Sequence, residues 1–441
     1  VAVSIVRRNA VLALLALCVG CEVKPAVESM NPATAASASF ADVSAAVSAA
    51  SAGDTVTVPA GQAVWSDPLV ITKGISLVGA GIGQTVITSA YASSGGIFDA
   101  SFFLITHAPS SPESNEAFRL SGFTIDLANA CSGILVKNEM TSPLSRVRID
   151  HLSIANPRDL LMHFYGTVFG VVDNNVLKSA SVGVRVNGLD EKTWEDVPFE
   201  FGTADNIYFE DNAFSGADSL FFYGEMGGRY CVRFNTFDAS ASENGLYPFA
   251  DLHGNQPNAH LAAIGAEIYG NVINGGRHGV ILLDHRGGKA LVYDNEVDNT
   301  AEGAWTKVRE EFHDALNPPA NHAVSGQPQH VSDSYSWGNM RNGATLFVGN
   351  PYIDGTVDYG GTTGLVPQEN REFWREQGAF DGTTGVGVGV MASRPAAARE
   401  GVGYWATDVR ILFRGTAAGA WEAYYVPFTY PHPLRVAEAA R

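Results

Sequence analysis

The feature that most constrains this chain is a short unit that recurs between Arg146 and Asn299: an apolar residue, two residues, an asparagine, one residue, and a second apolar residue. It reads Val172-x-x-Asn175-x-Leu177, Phe209-x-x-Asn212-x-Phe214, Val232-x-x-Asn235-x-Phe237, Ile268-x-x-Asn271-x-Ile273 and Val292-x-x-Asn295-x-Val297. Two earlier copies, Leu120-x-x-Phe123-x-Ile125 and Ile149-x-x-Leu152-x-Ile154, carry apolar residues at the asparagine place. Successive asparagines lie about 23 to 37 residues apart, the range in which one repeat is one turn of a solenoid.

Each copy reads as strand, tight turn, strand, because apolar residues two apart share a face of a strand. Asparagine tolerates the left-handed backbone of such a turn. Stacked coil upon coil, the asparagines are placed to hydrogen-bond in a ladder. A further strand follows each copy, at Leu161–Tyr165, Gly183–Asn187, Leu220–Glu225, Phe249–His253 and Val280–Asp284. About three short strands per coil is the layout of a parallel β-helix. An antiparallel sandwich would also show frequent turns, but it gives no reason for asparagine at one place of one unit.

The formal net charge of −18 excludes nucleic acid as the expected partner. It suits an extracellular protein whose carboxylates hold cations, and a polyanionic substrate would need local relief from arginines or a bound metal. Past Cys21 the cysteines are Cys131 and Cys231, at different places in their coils, and they read as two buried thiols. A monomer is expected.

Residues 1–21 read as a lipoprotein-type signal: Arg7 and Arg8, an apolar run from Ala10 to Val19 too short to span a membrane, then Gly20-Cys21. Cys21 would be the lipidated first residue, which implies a cell-envelope location; ordinary secretion is the alternative. Residues 22–39 read as a tether. The β-helix is expected over 40–350, opening with a helix at Asp42–Ala52 that caps the first coil. Strands Thr55–Pro59, Leu69–Thr72 and Ile75–Gly79 follow. Long insertions at Leu189–Thr203 (with Trp194), Asp238–Tyr247 and Gly254–Ala262 (with His260) would wall a binding face. The unit decays after Asn299, with Tyr335-x-Trp337-x-Asn339 as a further coil and a β-rich segment over 351–441.

The segments Gly53–Trp65 (GDTVTVPAGQAVW) and Leu69–Gly81 (LVITKGISLVGAG) resemble the opening coil of pectate-lyase-like right-handed parallel β-helix proteins. The tail, GVGYWATDVRILFR from Gly401 and WEAYYVPFTYPHPL from Trp421, resembles an ending common among uncharacterised bacterial and phage β-helix proteins. The resemblance covers most of the chain past Phe40. It implies an all-β, right-handed parallel β-helix with an N-terminal capping helix and a C-terminal β-rich closing segment. It also implies that substrate lies on the strands after the asparagine turn.

Aligning those strands with Val136, Phe164, Val186, Phe222, Leu252 and Leu283 inward gives two outward rows. One is Lys137, Tyr165, Asn187, Tyr223, His253, Asp284; the other is Leu135, His163, Arg185, Phe221, Asp251, Leu282. Glu225, His285 and Arg286 fall just past the strand ends, and Lys307 and Arg309 point outward from one more strand at Thr306–Glu310. Six rungs at ~4.8 Å make a groove on the order of 24 Å long. Tyrosine faces and clustered polar groups along such a groove suit a linear polysaccharide.

Two chemistries fit. In β-elimination from a uronate polymer, Arg185 and Asn187 would neutralise the substrate carboxylate, His253 or His163 would take the proton, and Tyr223 would serve the leaving oxygen. Lys137, Tyr165, Asn187, Asp284, His285, Arg286 and Arg309 would bind the chain, and Asp251 would assist. Glu225, Asp251 and Asp284 would alternatively hold Ca²⁺. In glycoside hydrolysis the same three carboxylates would work in pairs. The compact aspartate set and Gly-His-Gly of the β-helix galacturonidases are absent, which favours the lyase. The Asp-Gly-x-x-Asp and Arg-x-Pro-Arg runs of the pectate lyases proper are absent too, so no family residue is carried over. A non-catalytic, lipid-anchored glycan-binding adhesin is the third reading.

Overall fold

In the computed structural model the chain is described at residues 33–111, 115–140, 142–179, 182–190, 193, 198–216, 220–240, 249–254, 261–275, 280–298, 304–309, 330–345 and 367–436. Residues 1–32, with Cys21, and also Trp194, His260 and parts of the three insertions lie outside those residues. Residues 33–39, read from the sequence as the end of a tether, belong to the fold: Ala33–Thr34 pairs with Val56 and Thr57, and Ala35 and Ala38 are buried in the core.

Strands wind into three long sheets whose neighbours are parallel, save the antiparallel pair Met340–Arg341 and Ala344–Thr345 at the end of the third. The first runs from Ala33–Thr34 and Thr55–Val58 to Phe373–Arg375, through the strands that precede each asparagine. The third, from Gly61–Trp65, holds the strands that follow it, and the second, Leu69–Ile71 to Ala304–Val308, carries the face singled out above. This is a parallel β-helix. Apolar side chains stack inward from every sheet: Leu120, Ile149, Val172, Phe209, Val232 and Ile268 in the first, and Ile125, Ile154, Leu177, Phe214, Phe237 and Ile273 in the third. Identical registers repeat because each slip by one residue would turn a whole row to the other face.

The asparagine ladder forms. Each Nδ2 donates to the next Oδ1 from Asn175 through Asn212, Asn235, Asn271 and Asn295 to Asn339, at 2.9–3.1 Å. Each backbone N–H donates to that same oxygen at 2.9–3.2 Å. The left-handed residue of the turn is not the asparagine, as the sequence suggested, but the one before it: Asn174, Asp211, Phe234, Gly270, Asp294 and Gly338 all have φ between 51° and 66°. Asparagine is required at the next position for its two-sided amide, buried between coils where every donor needs an acceptor.

The capping helix spans Phe40–Ala49, with Ser39 accepting from the Asp42 N–H and Val43 and Val47 buried over the first coil. At the other end, strands Val386–Gly389, Gly403–Ala406, Ile411–Gly415 and Trp421–Tyr425 form a separate four-stranded sheet. This segment closes the solenoid along its flank, over the outer face of the first sheet. Trp405 lies 5.2 Å from Trp337, and Tyr425 Oη bonds to Tyr293 Oη and to Glu267. From there the chain runs back across earlier coils. Arg233, fully buried, holds Glu210 and donates to the Phe428 and Thr429 carbonyls; Arg435 reaches Glu210 and Asp173; Arg148 donates to the Leu434 carbonyl. Burial raises the Glu267 and Asp173 carboxyls above their ordinary range.

Candidate functional site

On the outer face of the second sheet the backbone register sets two rows. One is Leu135, His163, Arg185, Tyr223, Asp251, Asp284 and Lys307. The other is Lys137, Tyr165, Asn187 and Glu225, continued by His253, Arg286 and Arg309 through ladder bonds to Gly224, Leu252 and His285. Tyr223 therefore lies beside Arg185 and Asp251, not between Asn187 and His253. Its coil is shifted by two residues from the sequence alignment, a shift that keeps faces but changes neighbours. Asp284 adjoins Asp251 rather than His253, and Phe221 and Leu282, expected outward, are packed in the core.

His285 is a correction of another kind. Its strand extends to include it, and it stacks inward between Leu252 and Val308, 1% exposed. The Ser334 hydroxyl donates to the Ser332 carbonyl and accepts from Ala290 N–H, so His285 Nε2 is the donor in their 2.7 Å contact. Burial lowers the ring's pKa to about 3. It does not reach a substrate face.

The N-terminal part of the face is roofed. The connection leading into strand Phe103–His107 folds over it: the Ile97 carbonyl accepts from His163 Nδ1 at 2.8 Å, and Phe98 packs 5.0 Å from Tyr165 and 5.5 Å from His163. Phe102, Phe103, Leu135 and Leu160 make a buried cluster there, with Ile97, Tyr165 and Val182 against it. His163 is fully buried, and burial drives its pKa to about 3, so it is a structural histidine and not an accessible base. Tyr165 packs under Phe98, and Lys137 donates to the Phe98 carbonyl at 3.3 Å, so neither lines an open sugar platform. No repeat marked this roof. The only sequence hint was Phe98 after the Gly95-Gly96 turn, in an overlong link between coils.

Beyond it the face is polar. Arg185 donates to Asn187 Oδ1 at 3.0 Å and to Glu225 Oε2 at 2.9 Å, and its guanidinium lies 4.2 Å over the Tyr223 ring. The other oxygen of Glu225 is 3.8 Å from His253 Nδ1, and the His253 ring is 5.3 Å from Tyr223. Arg286 grips both oxygens of Asp251, and Arg309 both oxygens of Asp284 at 3.1 and 2.8 Å. Burial, and then the Glu225 charge, raise the Tyr223 phenol far above its ordinary value, so it stays protonated. The carboxylates lie beneath the arginines: Glu225 is 4% exposed beside 21% for Arg185, and Asp251 5% beside 10% for Arg286.

Glu225, Asp251 and Asp284 were read from the sequence as one alternative site for Ca²⁺. Each is instead bonded to an arginine, and among the described residues no three His, Cys, Asp or Glu side chains come together as a metal would require. Those guanidinium bonds also occupy the oxygens that a carboxylate-pair hydrolysis would use.

The fold places this chain among the parallel β-helix proteins. No family model matches it, and no curated protein matches it. Among the solved structures that are similar in part are the following three. ORF18 of Geobacillus virus E2 shares 12% identity at a TM-score of 0.36, over 71% of this chain and 56% of that one. An alginate lyase from Paenibacillus sp. str. FPU-7 shares 14% at 0.34, over 71% and 96%. Tailspike protein 3 of bacteriophage CBA120 shares 13% at 0.30, over 88% and 66%.

Proposed function

We propose that this chain is an exported polysaccharide lyase, cleaving a uronate-containing glycan by β-elimination on the polar half of the second sheet. One observation carries the reading: in a chain of net charge −18, the accessible edge of this network is guanidinium and phenol while its carboxylates are sunk beneath. That edge suits an anionic polymer.

Arg185 is placed to neutralise the substrate carboxylate, which makes the adjacent C–H acidic enough to lose its proton. His253, whose Nδ1 donates to the Gly254 carbonyl at 3.3 Å, takes the proton; the electron pair forms the C=C bond as the glycosidic C–O bond breaks, and the protonated Tyr223 phenol gives its proton to the leaving oxygen. Arg286 and Arg309 hold the chain onward along the row. Charge neutralisation rests on arginine here, in place of the Ca²⁺ entertained from the sequence.

The test offers the purified protein a panel of uronate polymers and follows ultraviolet absorbance of the unsaturated product. A rise on one polymer that is lost in His253→Ala supports the reading. New reducing ends without that absorbance overturn it in favour of hydrolysis, and retention of polymer without any product would make the protein a glycan-binding adhesin.

A further inference from the structure

The roof has a second consequence, which rests on the uronate reading above. The accessible polar row begins at Arg185, one rung from Tyr165, and there it meets the Ile97–Phe98 segment standing on the sheet. The wall is anchored from three sides. His163 bonds to the Ile97 carbonyl, Lys137 to the Phe98 carbonyl, and Phe102, Phe103, Leu135 and Leu160 form an apolar footing below. From Arg185 to Lys307 there are four rung spacings, roughly 19 Å, enough for three to four sugar rings.

Arg185 spends Nε on Asn187 and Nη2 on Glu225; among the described residues its Nη1 makes no hydrogen bond. A donor with no partner thus remains on a part-exposed arginine that is held over Tyr223, in the first coil past the wall. A guanidinium with one nitrogen left open at a closed end offers a carboxylate a charge-assisted hydrogen bond in a fixed place.

We infer that the groove is closed at its Tyr165 end and takes the terminus of a uronate chain, the last sugar stopping against Phe98 with its carboxylate on Arg185 Nη1. The enzyme is then selective for chain ends and not for internal segments.

The experiment measures binding, by calorimetry, of hexasaccharides of mannuronate, guluronate, galacturonate and glucuronate. Each is offered free, capped with a bulky group at the non-reducing end, or capped at the reducing end. The expected result is that one cap weakens binding at least tenfold while the other leaves it unchanged. Phe98→Gly restores binding of the blocked hexamer; Lys137→Met, which frees the Phe98 carbonyl and also gives up the Lys137 contacts with Glu139 and the Tyr165 ring, restores part of it should the glycine variant fold poorly. Equal binding of free and both capped forms overturns the closed end and leaves the uronate reading standing. No binding of any hexamer, free or capped, overturns both.

Discussion

Asn235 sits in the middle of the ladder, 1% exposed, and its replacement separates hydrogen-bond direction from side-chain volume. Its Oδ1 accepts from Asn212 N–H and Nδ2, both at 2.9 Å; its Nδ2 donates to the Phe209 and Arg233 carbonyls at 2.9 Å and to Asn271 Oδ1 at 3.1 Å. In Asn235→Ala the buried Asn212 N–H loses its acceptor, at about 1–3 kcal/mol, and the donated bonds to Phe209 and Asn271 are lost at about 1 kcal/mol each, a total of about 3–5 kcal/mol. The Asn212 Nδ2 keeps the Val172 and Glu210 carbonyls, so it adds little. Asn235→Asp has nearly the same shape and keeps the acceptor, but aims a carboxylate at three oxygens. It should cost more than alanine at neutral pH. A carboxyl so placed has its folded-state pKa raised, so the folded form binds the extra proton and the penalty shrinks as pH falls. Hydrogen exchange at the Asn212 amide reads both: a loss of 3 kcal/mol is a little over a hundredfold in protection. Equal effects of alanine and aspartate, or an alanine effect under about 1 kcal/mol, would refute the account of the ladder as directional hydrogen bonding.

Other expectations are simpler to check. His285 has a pKa lowered from 6.5 to about 3, so the unfolded chain binds the proton first and stability is lost as pH falls through that window; His285→Gln, which keeps the bond to Ser334, should flatten the acid limb of a denaturation series. Arg233→Met leaves the Phe428 and Thr429 carbonyls without their donors and should cost about 3–5 kcal/mol, seen as faster exchange and earlier proteolysis around residues 425–432 while the coils stay protected. Chelator should leave polymer cleavage unchanged, because Glu225, Asp251 and Asp284 are engaged by arginines; a metal-restored activity would contradict that. Cys21→Ala should move the protein from the membrane fraction to the soluble one, and unchanged fractionation would remove the lipid-anchor proposal.

The coils were legible because their signal is local and repeated: asparagine two residues from a buried apolar one, five times over. The further coil at Asn339 followed from the same kind of short-range pattern, and so did a capping helix, which runs Phe40–Ala49 where the spacing suggested Asp42–Ala52. Row membership on the second sheet was not, because a two-residue slip such as that of Tyr223 leaves the apolar alternation intact. His285 was misjudged although alternation alone, with Leu283 inward and Asp284 outward, turns it to the interior. The Ile97–Phe98 roof and the arginine partners of the three carboxylates depend on contacts between coils, which no single window of sequence contains. The ion pairs joining Arg435 to Glu210 and Asp173 span more than two hundred residues and leave no periodic trace.

Those late ion pairs also fix an order of events in assembly. The coils that carry Asp173, Glu210 and Arg233 leave the ribosome long before residues 421–436, and until those residues arrive their outer face is wetted and its charges are hydrated. Docking of the tail then dehydrates a surface already built, and it does so over several coils at once. Because Arg148 and Arg233 stand on different coils, the Phe428, Thr429 and Leu434 carbonyls meet both of them only where the coils between are stacked in register.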